Sequence, residues 1–142
     1  MRENLITRLN KGPVICAEGY LFEMERRGYL SAGPFVPEVV LENPDALIQL
    51  HREYVRAGSD IVQPFTYYAH REKLRIIGKE DLLEKMQKNA LKVAKDVANE
   101  FKDLNLMVCG DMANTNIFDP KDKSSFKKCQ KMFEEQVGWA KE

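Results

Sequence analysis

Polar and aromatic side chains follow three short apolar runs in the chain, and they are the residues best suited to chemistry. They are Glu18 after the first run, Thr66, Tyr67 and Tyr68 after the second, and Asp111 and Asn114 after the third. The carboxyl ends of parallel strands lie on one side of a sheet, where ligands commonly bind. One site built from three loops is therefore expected. The alternative interpretation is that polar residues simply mark where strands leave the core.

Each apolar run is predicted to be a strand followed by a helix. The predicted strands are 14–17, 60–65 and 105–110. The predicted helices are 2–12, 21–27, one that starts at Asn43-Pro44-Asp45 and ends at Gly58, 70–77, 80–102, and a last one capped by Ser124 or Ser125. Alternation of strands and helices predicts an α/β fold with a parallel sheet.

Apolar residues at spacings of three and four predict which face of each helix is buried. The first helix has Leu5, Ile6 and Leu9 on one side. The long helix has a stripe of Leu83, Met86, Ala90, Val93, Ala94, Val97 and Phe101. The last helix has an apolar face of Phe126, Cys129, Met132, Phe133 and Val137.

The composition excludes several classes of protein. The chain has 142 residues, which suits one domain, and its 22 basic residues balance 22 acidic ones. That balance gives no electrostatic case for binding nucleic acid, and no run approaches the ~18 apolar residues of a membrane span. The separated cysteines, with no secretory signal before them, are interpreted as reduced thiols of a cytoplasmic protein. Cys16 and Cys109 lie in predicted strands and are expected to be small buried residues.

No motif in the sequence predicts a metal or nucleotide site. His51 and His70 lack partners at metal-ligand spacing, and HExxH, CxxC and GxGxxG are absent. Both histidines are therefore interpreted as structural or surface residues. Residue spacing alone leads to an α/β chain with a candidate site at the strand ends.

Five blocks of sequence resemble betaine–homocysteine S-methyltransferase in their order and spacing. The blocks are RLN at 8–10, EGYLFEMERRGY at 18–29, AGPFVPE at 32–38, QLHREYVRAGS at 49–59 and QPFTYYA at 63–69. The resemblance implies a (β/α)8 barrel that transfers a methyl group from betaine or a related cationic donor to the sulfur of homocysteine, which gives methionine. It also implies a zinc ion, held by three cysteines, that turns the homocysteine thiol into a thiolate.

The resemblance also implies substrate-binding roles for five residues, while no catalytic residue is assigned. Tyr68 matches a tyrosine beside the zinc and the donor, and Phe35 takes the place of a tryptophan in the donor cage. Aromatic faces bind quaternary ammonium groups by cation–π attraction. Gly19 and Tyr20 match the end of an Asp-Gly-Gly-Phe turn that holds homocysteine, and Glu18 supplies a carboxylate shifted by one position.

The resemblance covers only the N-terminal portion of such a barrel. Residues 1–142 correspond to about three βα units and are incomplete at the C-terminus, since a full barrel needs ~250 residues. The zinc cysteines of the family come from later strands, so Cys16, Cys109 and Cys129 do not match them and no metal ligand is assigned. The implied partners are homocysteine, a cationic donor, and either further copies of the chain or another chain that completes the barrel.

Two alternatives to an enzyme remain open. The chain could be a non-catalytic half-barrel that binds a partner protein along its exposed edge. It could instead be a small-molecule binding module that uses Tyr68, Phe35 and Glu18 for a cationic ligand.

Overall fold

The computed structural model describes residues 3–31 and 37–142. The helices in these ranges are α1 (Leu5–Leu9), α2 (Tyr20–Arg26), α3 (Val39–Glu42), α4 (Pro44–Arg56), α5 (Arg71–Ile76), α6 (Leu83–Glu100) and α7 (Lys123–Lys141). The strands are β1 (Ile61–Val62) and β2 (Met107–Val108). All the predicted helices are present, and most are shorter than predicted. The predicted helix 21–27 is instead shifted by one residue, and the last helix begins ahead of its predicted cap. Helix α3 is one that the sequence analysis missed.

The sheet is parallel, as predicted, but shorter. Strand β1 pairs with β2 in the register Ile61 to Met107 and Val62 to Val108. The prediction of a strand at 14–17 is wrong. This segment forms only a single parallel bridge, from Cys16 to Ile61. A glycine and a proline precede this run, and Gly19 turns the chain away after it, so pairing has little length over which to extend.

Helices α4 and α6 pack on the sheet and on each other to form the core. Helix α4 begins with proline at its first position, as the sequence predicts, and its Leu47 and Leu50 are fully buried. The apolar stripe of α6 is confirmed by the burial of its members from Leu83 to Val97, whereas Phe101 is only half-buried. Packing of these two apolar faces positions the ends of both strands.

The predicted burial of the first and last helices is partly wrong. Helix α1 forms, but its Leu5, Ile6 and Leu9 are exposed. In α7, Cys129 and Met132 are buried as predicted, while Phe126 is 61% exposed and Val137 is 37% exposed. The buried face of α7 instead includes the polar residues Ser125 and Gln136.

Hydrogen bonds explain why α7 presents polar residues to the core. The Ser125 hydroxyl donates to the carbonyl oxygens of Asp119 and Asp122, each at 2.8 Å. Asp122 is also the cap of the helix, in place of either predicted serine, because its carboxylate accepts from the Ser124 N–H at 2.8 Å. Polar groups that find partners can be buried without a large penalty.

The three cysteines differ in their exposure to solvent. Cys129 is buried and Cys16 is half-buried, but Cys109 is exposed, so its predicted burial is wrong. Among the helices in the described ranges, none is long and apolar enough to cross a membrane.

Candidate functional site

The three chain segments that end on one side of the sheet enclose a cavity of about 340 Å³. Its lining consists of residues 18–22, residues 63–65, Tyr67 and Asp111. Five residues singled out from the sequence are thus brought together, namely Glu18, Gly19, Tyr20, Tyr67 and Asp111. This is the arrangement expected where parallel strands end, although the roles of these residues in binding stay predictions.

Gly19 forms the turn that starts the site. Its φ of +80° lies in the left-handed region, which glycine adopts without strain. A Cβ atom at this position would lie 3.7 Å from the Tyr54 hydroxyl, which is an ordinary contact. The requirement for glycine therefore comes from the backbone conformation rather than from lack of space.

Tyr20 joins the turn to the core. Its side chain is 5% exposed, and its hydroxyl lies 2.9 Å from Nδ1 of His51. Burial raises the pKa of Tyr20 well above its usual value, and an interaction with the Gln63 backbone partly offsets this. The Tyr20 ring also meets the Tyr54 ring edge-on, with centroids 4.9 Å apart. The hydroxyl is thereby committed to structure and is not available to a ligand as a free acid.

His51 is a structural residue, in agreement with its interpretation from the sequence. It is fully buried, and burial lowers its pKa to about 4. It is therefore neutral at pH 7. His70 is also buried, and its Nδ1 accepts from the Lys73 N–H at the start of α5, at 3.4 Å. Neither histidine lines the cavity.

The two adjacent tyrosines after β1 have different surroundings. Tyr67 lines the cavity, whereas Tyr68 does not, and their ring centroids lie 4.1 Å apart. The ammonium group of Lys73 lies 4.6 Å from the centroid of the Tyr68 ring, so this ring already contacts a cation of the chain itself. The predicted role of Tyr68 in binding a cationic donor stays a prediction, and Tyr67 is the tyrosine that faces the cavity.

Asp111 and Gln63 form the polar side of the cavity. Burial raises the pKa of Asp111, and a hydrogen bond from the Gln63 side chain lowers it. The Thr66 hydroxyl donates to the Asp111 carbonyl oxygen at 2.8 Å and so ties the loop after β1 to the loop after β2. Thr66 is itself buried, and Asn114 is exposed and does not line the cavity.

Gln63 is a polar lining residue that the sequence analysis did not propose, whereas Tyr67 was among the candidates that follow the second strand. Alternate residues of a strand point to the same face, so Gln63 shares the side of Ile61. Because Ile61 does not line the cavity, this parity alone does not identify Gln63. Phe35, the remaining predicted binding residue, lies outside the described residues.

The residues present do not fit a zinc site. Over residues 3–31 and 37–142, no group of three or more histidine, cysteine or acidic side chains could hold a metal ion. Burial, followed by the effects of Cys109 and Glu18, raises the pKa of the Cys16 thiol. A zinc ligand needs the thiolate, which these surroundings disfavour.

Parallel strands, the helices that pack on them and a cavity at the strand ends define an α/β protein. The family profile described as Homocysteine S-methyltransferase matches residues 17–142. The chain belongs to the homocysteine S-methyltransferase family, which confirms the resemblance seen in the sequence.

Two relatives illustrate the extent of the similarity. Betaine--homocysteine S-methyltransferase 1 of Xenopus tropicalis is 40% identical over 104 residues, which are 70% of this chain and 26% of that protein. The Danio rerio protein of the same name is 38% identical over 135 residues, which are 89% of this chain and 33% of that protein. The chain thus spans between a quarter and a third of the length of these relatives.

The fold resembles part of a solved methyltransferase. The homocysteine methyltransferase MmuM from Escherichia coli, in its metallated form, matches with a TM-score of 0.76 at 19% identity. The match covers 95% of this chain and 52% of that one. This mixed α/β chain with two parallel strands therefore corresponds to part of a TIM-barrel methyltransferase fold.

Proposed function

We propose that residues 1–142 form one domain, the N-terminal portion of a (β/α)8 barrel with about three βα units, and that the barrel is a homocysteine S-methyltransferase. The reaction moves a methyl group from betaine or a related cationic donor to the sulfur of homocysteine. A sulfur–carbon bond forms, the bond between the methyl carbon and the donor heteroatom breaks, and its electron pair stays on the donor. The homocysteine thiol loses its proton, and the donor heteroatom loses its positive charge. The products are methionine, the demethylated donor and that proton.

The observation that carries this proposal is the cavity where the family-matching segments meet. Gly19 and Tyr20 are held in place by the positive φ and by the contact with His51, which suits a turn that must hold a substrate in one position. The rings of Phe65 and Tyr67 in the same lining suit a cationic methyl donor. We assign substrate-binding roles to Glu18, Gly19, Tyr20, Phe35 and Tyr68, as the resemblance implies.

The remaining strands of the barrel would pack against apolar surfaces that are open in this chain. A groove of about 670 Å³ runs beside β2 and is lined by Leu106, Met107, Val108 and Trp139, among others. The exposed side of α7 adds Phe126 and Val137. We propose that further βα units, or another chain, cover these surfaces in the active protein. A zinc site, if the active barrel uses one, has to come from those parts.

The test is methyl transfer by a completed barrel. The chain is joined to, or mixed with, the missing strands of a homocysteine methyltransferase, and methionine formation is measured with homocysteine and betaine, a dimethylsulfonium compound or S-methylmethionine. Zinc per protein is measured by elemental analysis after gel filtration. A Gly19→Val variant should lose activity because the left-handed turn is strained, while Glu84→Gln on the exposed side of α6 should keep it.

A folded completed barrel that transfers no methyl group from any of these donors would contradict the proposal. That result would favour the second candidate function, which is a non-catalytic half-barrel that binds a partner. It is favoured by the lack of a metal-binding group in the described residues and by the open edge of β2. Stable association of the 142-residue chain with a partner protein, without methyl transfer, would support it. The three free cysteines fit a reducing, cytosolic location for either function.

A further inference from the structure

One side of α7 carries an apolar stripe that is open to solvent. Phe126 and Val137 are exposed, and Phe133 between them is half-buried. Phe118, which is exposed in the loop before the helix, joins them in lining a groove of about 470 Å³. Aromatic and aliphatic side chains that gather in one exposed patch mark a docking surface for another molecule.

The stripe has the spacing of a coiled-coil seam. Its members follow one another at intervals of four, three, four and three residues, and they are Phe126, Gln130, Phe133, Val137 and Ala140. These intervals are those of the two core positions of a heptad repeat. The residues of α7 that pack on the core of the chain lie on the neighbouring side of the helix. The seam is therefore left for a second helix, which must come from another part of the protein or from another molecule.

Charged residues of opposite sign flank the seam on its solvent side. Lys127 directly follows Phe126, and Glu134 directly follows Phe133, so both occupy the same flanking position of the heptad. Both are exposed, and neither forms an ion pair within residues 3–31 and 37–142. Glu134 accepts a hydrogen bond from the uncharged side chain of Gln130 at 2.8 Å. Both charges are thus available to a partner.

A second copy of α7 matches the seam and the charges together when the two helices run antiparallel. Phe126 of each copy then lies opposite Val137 of the other, so each large ring meets a smaller side chain. In the same register, Lys127 of each copy lies beside Glu134 of the other. Two-fold symmetry forms every one of these contacts twice.

Other occupants match this side of α7 less well. In a parallel helix pair, each charged flank would face the opposite flank of the partner, which holds the buried and uncharged Cys129 and Gln136. An anionic membrane would attract Lys127 but repel Glu134. A further βα unit of a completed barrel would cover the apolar side chains, and it is the occupant that a strictly monomeric chain would favour.

We propose that two copies of the 142-residue chain associate through α7 as an antiparallel, two-fold symmetric pair. The apolar stripe provides the attraction, and the contacts between Lys127 and Glu134 set the direction and the register. The inference goes beyond the proposed function and does not rest on methyl transfer, since it concerns the 142-residue chain alone.

Sedimentation equilibrium of the unmodified chain over about 5–500 µM is the first test, because a seam of two heptads makes a small and weak interface. A transition from monomer to dimer is expected within this range. Phe126→Ala should raise the dissociation constant at least about tenfold, since the pair loses two buried rings. Phe22→Ala is the matched control and should leave it unchanged, because Phe22 is 69% exposed and lies on α2.

Exchange of charges tests the partner and the direction. Lys127→Glu and Glu134→Lys should each raise the dissociation constant about tenfold, because like charges then meet twice in the pair. An equimolar mixture of these two variants should form heterodimers as tightly as the unmodified chain, because every contact again joins opposite charges. Lys85→Glu is the control with the same change of net charge, at an exposed position of α6. Circular dichroism verifies that each variant is folded, and exposed positions tolerate such changes.

A chain that stays monomeric up to about 500 µM would overturn the inference. A dimer that Phe126→Ala weakens no more than Phe22→Ala would show that another surface associates, and would overturn it as well. Failure of the mixed charge variants to regain the affinity of the unmodified chain would refute the antiparallel register. Each measurement is independent of the methyl-transfer test, which uses a completed barrel, so either proposal can fail without the other.

Discussion

Acid is expected to destabilise this chain by about 3 kcal/mol through one side chain, His51. Burial lowers its pKa from 6.5 to about 4 in the folded chain, and each unit of difference corresponds to about 1.4 kcal/mol. In the unfolded chain His51 takes up a proton as the pH falls below 6.5, while in the folded chain it stays neutral until about 4. The free energy of unfolding should therefore fall across this window, and the loss is complete below it.

The assay is urea unfolding followed by circular dichroism at a series of pH values between 7 and 4. Carboxylates and His70 also titrate in this range, because burial lowers the pKa of His70 as well. A His51→Gln variant isolates the contribution of His51, since glutamine does not titrate and can still bond to the Tyr20 hydroxyl. The unmodified chain should lose about 3 kcal/mol more than this variant between the two ends of the range.

Equal losses in the two proteins would refute the reasoning, because they would show that His51 has the same pKa in both states. Titration of the His51 ring signals by NMR measures the pKa of the folded chain directly. A midpoint near 6.5 would mean that water reaches the His51 ring and that the ring takes up a proton as easily as in the unfolded chain.

Three further predictions concern the core and the thiols. Tyr20→Phe should lower the free energy of unfolding by about 1–3 kcal/mol, because the buried Nδ1 of His51 loses its partner. Leu50→Ala should lower it by about 2–5 kcal/mol, because Leu50 is fully buried and its removal leaves a cavity. With a thiol reagent, Cys109 should react first because it is exposed, and Cys129 should react only when the chain unfolds.

Matched changes at exposed positions provide the controls. Tyr54→Phe should have less effect than Tyr20→Phe, because Tyr54 is only half-buried. Leu104→Ala should change the stability by no more than about 0.5 kcal/mol, since Leu104 is 50% exposed. Equal effects within either pair would mean that burial does not govern these energies. Modification of Cys129 at the same rate as Cys109 would contradict the packing of α7.

Helices α6 and α7 illustrate what the sequence could and could not predict of the fold. The buried stripe of α6 was predictable because its apolar residues repeat at the period of a helix and its polar residues carry charge. In α7 the same reasoning failed at Phe126 and Val137, because Ser125 and Gln136 turn inward. Ser125 bonds to two main-chain carbonyls that only the folded loop brings near, and no hydrophobic pattern reveals such partners.

The site shows a similar limit. Glu18, Gly19 and Tyr20 were found because polar residues after an apolar run and a family motif coincide there. Gln63 was missed because strands of two residues give little pattern from which to tell the inward side chains from the outward ones. The neutral state of His51 depends on burial beneath Tyr20, which is a contact between residues 31 positions apart. Such a contact is not visible in local spacing.

Because α1 and α7 expose apolar side chains, the stability of the chain depends on the concentration of any partner that covers them. A partner that covers Ile6, Phe126 or Val137 binds only the folded state, so by mass action it raises the temperature of unfolding. The effect grows with the concentration of that partner, and at one hundred times its dissociation constant it reaches about 2.7 kcal/mol. The total stability of a domain is typically ~5–15 kcal/mol, so this contribution is a substantial part of it. The same sequence can therefore unfold more readily when its partner is scarce and stay folded when its partner is abundant.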